Sequence, residues 1–200
     1  MNYNEIFKIV EKRFLQSPKA IKRFEHCVRV VDMAVLLNDE LSLGLDLEKV
    51  KVAAILHDYA KVLPEEEQLL LLSKYLTKDE IEYYKDYLPV IHSILGAYLV
   101  KEDLGITDKE VLDAITYHTT GCVGMSQLAK LIFVSDATET GRNHPLANAY
   151  RTAAKLDLDY ATYIITAMTI DYLRKNNMRI EKNTFKLYQY YEEYYDKVSK

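Results

Sequence analysis

A chain of 200 residues, 49% hydrophobic and 28% charged, is long enough to bury one core without disulfide or metal staples, and this composition argues against disorder, a collagen-like repeat or a fibre. Lys and Arg total 26 against 30 for Asp and Glu, a net charge of −4, so no global attraction to nucleic acid or anionic lipid is expected, while a local basic pocket stays open. Six glycines and four prolines are too few for the many turns of an all-β chain.

Helical periodicity runs nearly end to end. A first helix is expected over Tyr3 to Leu15. Ser17-Pro18 reads as an N-cap followed by proline at the first helical position, opening a long helix to about Leu43 that Gly44 ends. Asp46 caps a third helix, Leu47 to His57, which breaks in the segment from Asp58 to Leu63 before Pro64. Thr77-Lys-Asp-Glu80 and Thr107-Asp-Lys-Glu110 fit the capping-box pattern and mark two further starts. Between them, Pro89 opens a helix that carries His92 and ends near Gly105. Gly121 and Gly124 punctuate the next boundary, an apolar run from Gln127 to Asp136 follows, and two last helices are expected over Leu158 to Lys175 and Lys182 to Val198. The expectation is one all-α domain of roughly nine to eleven helices, 1–200, with its core unit at about 18–142 and a helical C-terminal part at about 143–200. In the tyrosine-dense tail, Tyr188 to Tyr195, some rings should close the bundle while others lie half exposed; a partner surface is the alternative.

Cys27 and Cys122 lie far apart and form no CxxC pair, which favours two reduced, mostly buried thiols. The N-terminus lacks the basic and apolar regions of a secretory signal, and the greasy stretches at Leu69–Leu72 and Leu131–Val134 are much too short to span a bilayer. A cytoplasmic protein without membrane or nucleic-acid partners is the simplest expectation.

The chemistry gathers on histidine and aspartate. His57-Asp58 follows Val52-Ala-Ala-Ile-Leu, where a helix runs out into a loop. His26 lies upstream on the long helix, His92 and His118 lie downstream on separate helices, and Asp136 ends an apolar segment from which its carboxylate would emerge semi-buried. Unpaired carboxylates in apolar surroundings are costly, and coordination to a divalent cation offsets that cost. Neutral imidazoles with carboxylates suit iron, manganese or zinc and leave positions open for water and phosphate. Taken singly, each of these histidines is more often a satisfied structural residue, and Asp136 alone could cap a helix; spacing supports a metal site and no more.

Arg23 shares one side of the long helix with His26, Val30, Met33 and Leu37, whereas Lys22, Glu25, Arg29 and Asp32 form a polar edge. An arginine among apolar neighbours needs an anionic partner, either substrate phosphate or an internal acid. Lys61 and Arg142 are further candidates for the same anion. His144, before Pro145, belongs to no part of the pattern.

Together these positions resemble the HD-domain metal-dependent phosphohydrolases, and within them the YqeK-type branch of bacterial symmetrical diadenosine tetraphosphate hydrolases. The resemblance is carried by Arg23-Phe-Glu-His26-Cys-Val-Arg-Val30, His57-Asp58-Tyr-Ala-Lys61, His92-Ser-Ile-Leu-Gly-Ala97, Tyr117-His118-Thr-Thr-Gly121, Lys130-Leu-Ile-Phe-Val-Ser-Asp136 and Glu139-Thr-Gly-Arg142. It covers nearly the whole chain. The chain departs from that pattern at Ser135, where the family usually has Ala, at Ala137-Thr-Glu-Thr140, and at Tyr190-Tyr191.

The resemblance implies a helical HD-domain bundle. It also implies one or two divalent ions, iron first with manganese or zinc as alternatives, bound by His26, His57, Asp58 and Asp136. Arg23, Lys61, His92, His118 and Arg142 would surround the phosphates, and Thr119 and Thr120 would offer them hydroxyls. The implied reaction is hydrolysis of diadenosine tetraphosphate to two ADP by metal-activated water. Asp58 would orient or deprotonate that water, and His92 and His118 would bind phosphate, act as acid or complete a second metal site. The rivals are another HD phosphohydrolase acting on a mononucleotide or guanosine alarmone, and a non-catalytic sensor holding metal and ADP or GDP. A third rival is a helical interaction protein using the tyrosine-rich tail; a homodimer is compatible with all of them.

Overall fold

The structure is a computed structural model that describes residues 2–15 and 18–198. Among the described residues every regular element is helical, as expected. The first five helices are α1 (Tyr3–Phe14), α2 (Pro18–Glu40), α3 (Leu47–Leu56), α4 (Glu65–Leu72) and α5 (Lys78–Tyr84). A 3-10 segment, Lys85–Val90, leads into α6 (Ile91–Leu104) and α7 (Lys109–Tyr117). Four more helices complete the chain: α8 (Gln127–Thr138), α9 (Ala147–Ala154), α10 (Leu158–Lys175) and α11 (Lys182–Val198).

Local chemistry accounts for most of the boundaries. Asp46 accepts the Lys49 N–H at 2.8 Å to start α3, and Thr77 and Glu80 form the expected capping box of α5. The second expected box does not form at Thr107: the cap of α7 is Asp108, whose carboxylate accepts from Glu110 and Val111 N–H groups one residue later. Pro89 sits inside the 3-10 segment, and α6 opens at Ile91. The long helix α2 stops at Glu40, short of Leu43, because the Asn38 side chain grips both the N–H and the carbonyl of Leu45 and turns the chain back. Ser17, the expected cap of α2, lies outside the described residues. Helices α4 and α9 start without a side-chain capping bond at Pro64 and Leu146, although Glu65, Glu66 and Glu67 place three acids in the first turn of α4.

Helices α3 and α8 are buried on nearly every side, including Val50 and Val52–Leu56 of the first and Leu128, Ala129 and Leu131–Ser135 of the second. Helices α2 and α7 pack against both, α6 packs on α7, and α9 and α10 cover α8 from the C-terminal side. Each fully buried Ile or Leu, such as Ile55, Leu56, Leu131 and Ile132, contributes about 1.5–3 kcal/mol relative to exposure. In α11 Leu187 and Tyr191 close onto this core, while Tyr190 and Tyr194 stay half exposed, the division of rings expected of the tail. Among the described residues no helix is long and apolar enough to cross a membrane.

The packing sets where chemistry can occur. His57 caps the end of α3, His118 caps the end of α7, Asp136 lies in the last turn of α8, and His92 is the second residue of α6.

Candidate metal and phosphate site

The last turn of a helix leaves carbonyls without partners. His57 Nδ1 donates to Ala54 O at 2.7 Å, and His118 Nδ1 donates to Ile115 O at 2.8 Å, each three residues back in its own helix. Each ring thus commits its hydrogen to the scaffold and presents Nε2 as a lone pair. Burial pushes the His57 pKa down to about 4, so the ring is neutral at physiological pH. Its Nε2 is buried and has no hydrogen-bond partner.

His26 comes from the middle of α2 and is fixed by Glu139, whose Oε1 accepts from Nδ1 at 3.1 Å. His26 Nε2 then lies 3.0 Å from Asp136 Oδ1, off the line of a hydrogen bond. Burial works against charging this ring, but Asp136 outweighs it and raises the pKa. The surroundings therefore favour positive charge at that nitrogen, whether from a proton or a metal ion.

Asp58 has two faces. Its Oδ2 stands 3.6 Å from His57 Nε2 and 3.9 Å from His26 Nε2, while Oδ1 stands 3.2 Å from His92 Nε2 and 3.6 Å from His118 Nε2. Burial alone would raise both carboxyl pKa values. The rings of His57, His118 and His92 around Asp58, and His26 and Arg142 around Asp136, hold them well below the usual carboxylate range.

These residues fit a divalent metal. Ligand atoms about 2.1 Å from one ion stand about 3.0 Å apart at right angles and about 4.2 Å apart when opposed. The separations of His26 and His57 Nε2 from the two carboxylates run from 3.0 to 4.0 Å. His26, His57 and Asp136 each bring one ligand atom within 4.8 Å of the others, a donor set suited to one cation, while Asp58 groups in the same way with His92 and His118.

Around this centre stand the three expected cations. Arg23 Nη1 donates to Asp58 Oδ2 at 2.9 Å, and Arg142 donates to the Asp136 carboxylate and, from Nε at 2.8 Å, to its carbonyl. Lys61 Nζ lies 3.1 Å from His92 Nδ1. Arg23 and Arg142 keep 37% and 34% of their side chains accessible, so pairing with an internal acid leaves each able to meet a ligand. Thr119, after His118, donates to Ser93 Oγ at 3.0 Å. Thr120 is placed apart from the others: its hydroxyl donates to Gly121 O, and it lines a separate cavity of about 170 Å³ with Tyr117 and Glu181.

Two participants have no role assigned from sequence, although Glu139 heads the Glu139-Thr-Gly-Arg142 segment. Glu139 is 2% exposed and accepts from His26, from Arg29 Nε at 2.6 Å and from the Gly141 N–H. Burial would raise its pKa, but Arg29, Gly141 and His26 lower it. Arg29 therefore has a buried partner, although its helix position reads as polar edge. The available signal was the spacing Asp136 to Glu139, three residues across a helix end. Arg151 braces the same loop by donating to the carbonyls of Thr138, Glu139 and Arg142.

Residues 23–141 match the HD domain family. A symmetrical bis(5'-nucleosyl)-tetraphosphatase of Halalkalibacterium halodurans is 39% identical over 166 residues, 83% of this chain and 87% of that protein. This chain is an HD-domain protein of the symmetrical bis(5'-nucleosyl)-tetraphosphatase family. The relative of that name in Bacillus subtilis is 34% identical to this HD-domain protein over 95% of the chain and 97% of its own length. A crystal structure from Clostridium acetobutylicum, described as a predicted HD superfamily hydrolase involved in NAD metabolism, superposes with a TM-score of 0.82 at 30% identity. It covers 95% of this chain and 96% of that one.

Proposed function

We propose that this HD-domain protein hydrolyses diadenosine tetraphosphate at its centre, yielding two ADP, with iron held by His26, His57, Asp58 and Asp136. The observation that carries this reading is the convergence of those four residues beside Arg23, Lys61 and Arg142, in a chain similar over most of its length to symmetrical tetraphosphatases. A bound divalent ion supplies Lewis acidity, lowering the pKa of water and offsetting charge on a phosphoryl oxygen.

The chain's own residues do the rest. Arg23 and Arg142 hold phosphate oxygens with their accessible guanidinium edges, which matters because phosphoryl transfer depends mainly on positioning and electrostatics. Asp58, ionised and shared between the two histidine pairs, orients the attacking water. His92 holds a proton at Nε2 and presents it toward the leaving phosphate oxygen, and Lys61 steadies the ring from Nδ1. Glu139 holds His26 in the tautomer that keeps Nε2 free.

A nucleotide panel with added Fe(II), Mn(II) or Zn(II), products resolved by chromatography, tests the reading. ADP as the sole product of diadenosine tetraphosphate supports it. ATP plus AMP contradicts central cleavage, and no turnover with any metal overturns the enzyme in favour of a sensor.

A further inference from the structure

Arg23 forms a wall of two cavities of nearly equal size, one of about 400 Å³ and one of about 390 Å³. Both fall in the range of sites that enclose small ligands. The first runs from Arg23 and Lys61 along Val62, Leu63 and Pro64 to Gln68. The second runs from Arg23 and His26 past Arg142 to Asn143 and His144. Each cavity has cations where it adjoins the metal-ligand cluster and includes uncharged groups; Glu65 also lines the first, and Lys22, Arg29 and Glu139 also line the second.

The uncharged groups suit a nucleoside. In the first cavity Val62, Leu63 and Pro64 offer apolar surface. Gln68, only 2% exposed, donates from Nε2 to Leu63 O at 2.7 Å and leaves Oε1 without a hydrogen-bond partner. A buried amide oxygen without a donor carries a desolvation penalty that a ring amino group would relieve. Glu65, also in that lining, disfavours any further phosphate there. In the second cavity His144 offers an aromatic ring anchored edge-on against Tyr150 at 5.4 Å, a platform on which a base can stack. His144 is the one histidine with no place in the His/Asp centre.

We infer that the two cavities each take one nucleoside diphosphate half of the substrate, with Arg23 at the partition over the central phosphates. This rests on the dinucleotide reading above and extends it: cleavage is symmetrical because the two halves occupy sites of matched size on either side of the centre. Cavity one binds its adenosine against Val62 and Gln68, and cavity two binds its adenosine on His144.

Equilibrium binding of ADP to the full-length protein tests this, with dinucleotide hydrolysis measured in parallel. Two ADP per chain are expected. Val62→Trp, which fills the first cavity, and His144→Ala, which removes the second platform, should each weaken one site about tenfold or more and leave the other unchanged. Both positions are partly or fully exposed, so folding should survive, and circular dichroism checks it. One ADP per chain, no binding at millimolar ADP, or both variants weakening the same site would overturn the two-cavity assignment. Two independent ADP sites without turnover of any dinucleotide would keep the cavities and sink the hydrolase reading. Turnover with a single ADP site would do the reverse.

Discussion

Lys61 Nζ stands 3.1 Å from His92 Nδ1, and this contact decides which nitrogen of His92 carries a hydrogen. An ammonium group only donates, so Nδ1 accepts and Nε2–H faces Asp58 Oδ1 and His118 Nε2, both at 3.2 Å. His118 has committed Nδ1 to Ile115 O and can only accept at Nε2. Burial pushes the His92 pKa down to about 4, which keeps the ring neutral and the pattern single-valued.

Lys61→Met should therefore act through His92 as well as through lost charge. We expect kcat/KM for the dinucleotide to fall about 10²-fold, the lower range for a misplaced acid–base group. Nitrogen-15 spectra of labelled histidine should show His92 shifting toward the Nδ1–H tautomer. A lost rate with an unchanged tautomer would assign Lys61 to phosphate binding alone, and an unchanged rate would remove it from the site.

In the proposed metal site Glu139 orients the ligand His26 from Nδ1, and such partners are typically worth about 10–100-fold in affinity. Glu139→Gln should weaken Mn(II) or Zn(II) binding by about tenfold in a direct titration, since an amide is a weaker acceptor for His26 Nδ1 and leaves Arg29 without its charge partner. Gly141→Ala should do the same indirectly. A Cβ there would come 2.6 Å from Arg29 Nε, so the guanidinium must shift from its present position against Glu139. Wild-type metal affinity in both variants would contradict this role for Glu139.

Gly121 follows the turn that carries His118 and Thr119, with φ at +61°. A Cβ at this position would collide with Leu187 Cδ2, which is buried on α11. Gly121→Ala combines backbone strain with overpacking, and we expect a loss of about 1–3 kcal/mol, read as a lower denaturant midpoint at unchanged m-value. A midpoint equal to wild type would show that α11 can shift without cost.

The two thiols should report their surroundings through pH. Burial pushes the Cys122 pKa up to about 11, and burial also raises that of Cys27 well above its ordinary value. Only the thiolate reacts, so a raised pKa means less reactive form at neutral pH. At pH 8 about one Cys122 in a thousand is ionised, and its labelling rate should climb about tenfold per pH unit toward 11. Cys27 should label only after denaturation. Fast labelling of native protein at pH 7, assigned with Cys122→Ser and Cys27→Ser, would refute this account.

Much of the fold was readable because its signals are local. Helices α10 and α11 fall on their expected bounds, and the caps at Asp46 and Thr77 are where short-range hydrogen bonding requires them. Helices α4 and α9 were not, because they are eight residues long and start without a side-chain cap. The end of α2 was misplaced for a different reason: Asn38 reaches seven residues ahead to Leu45, a contact that no helical repeat encodes.

The site divides along the same line. Residue type and spacing alone determined an all-α chain and a set of histidines and aspartates suited to a divalent cation, since ligand chemistry and helical period both belong to the chain as written. Tertiary packing decided how those residues are used. Imidazole roles depend on which ring nitrogen is already bonded, and those bonds come from partners as distant as Glu139 for His26 and as near as Ala54 for His57. Charges follow the same rule. Burial and neighbours leave Asp58 and Asp136 ionised and His57 neutral, and those neighbours arrive from α2, α6, α7 and α8 only when the core closes. The net charge of −4 is a sum over the chain; the cluster of Arg23, Lys61 and Arg142 around two carboxylates is a property of the fold.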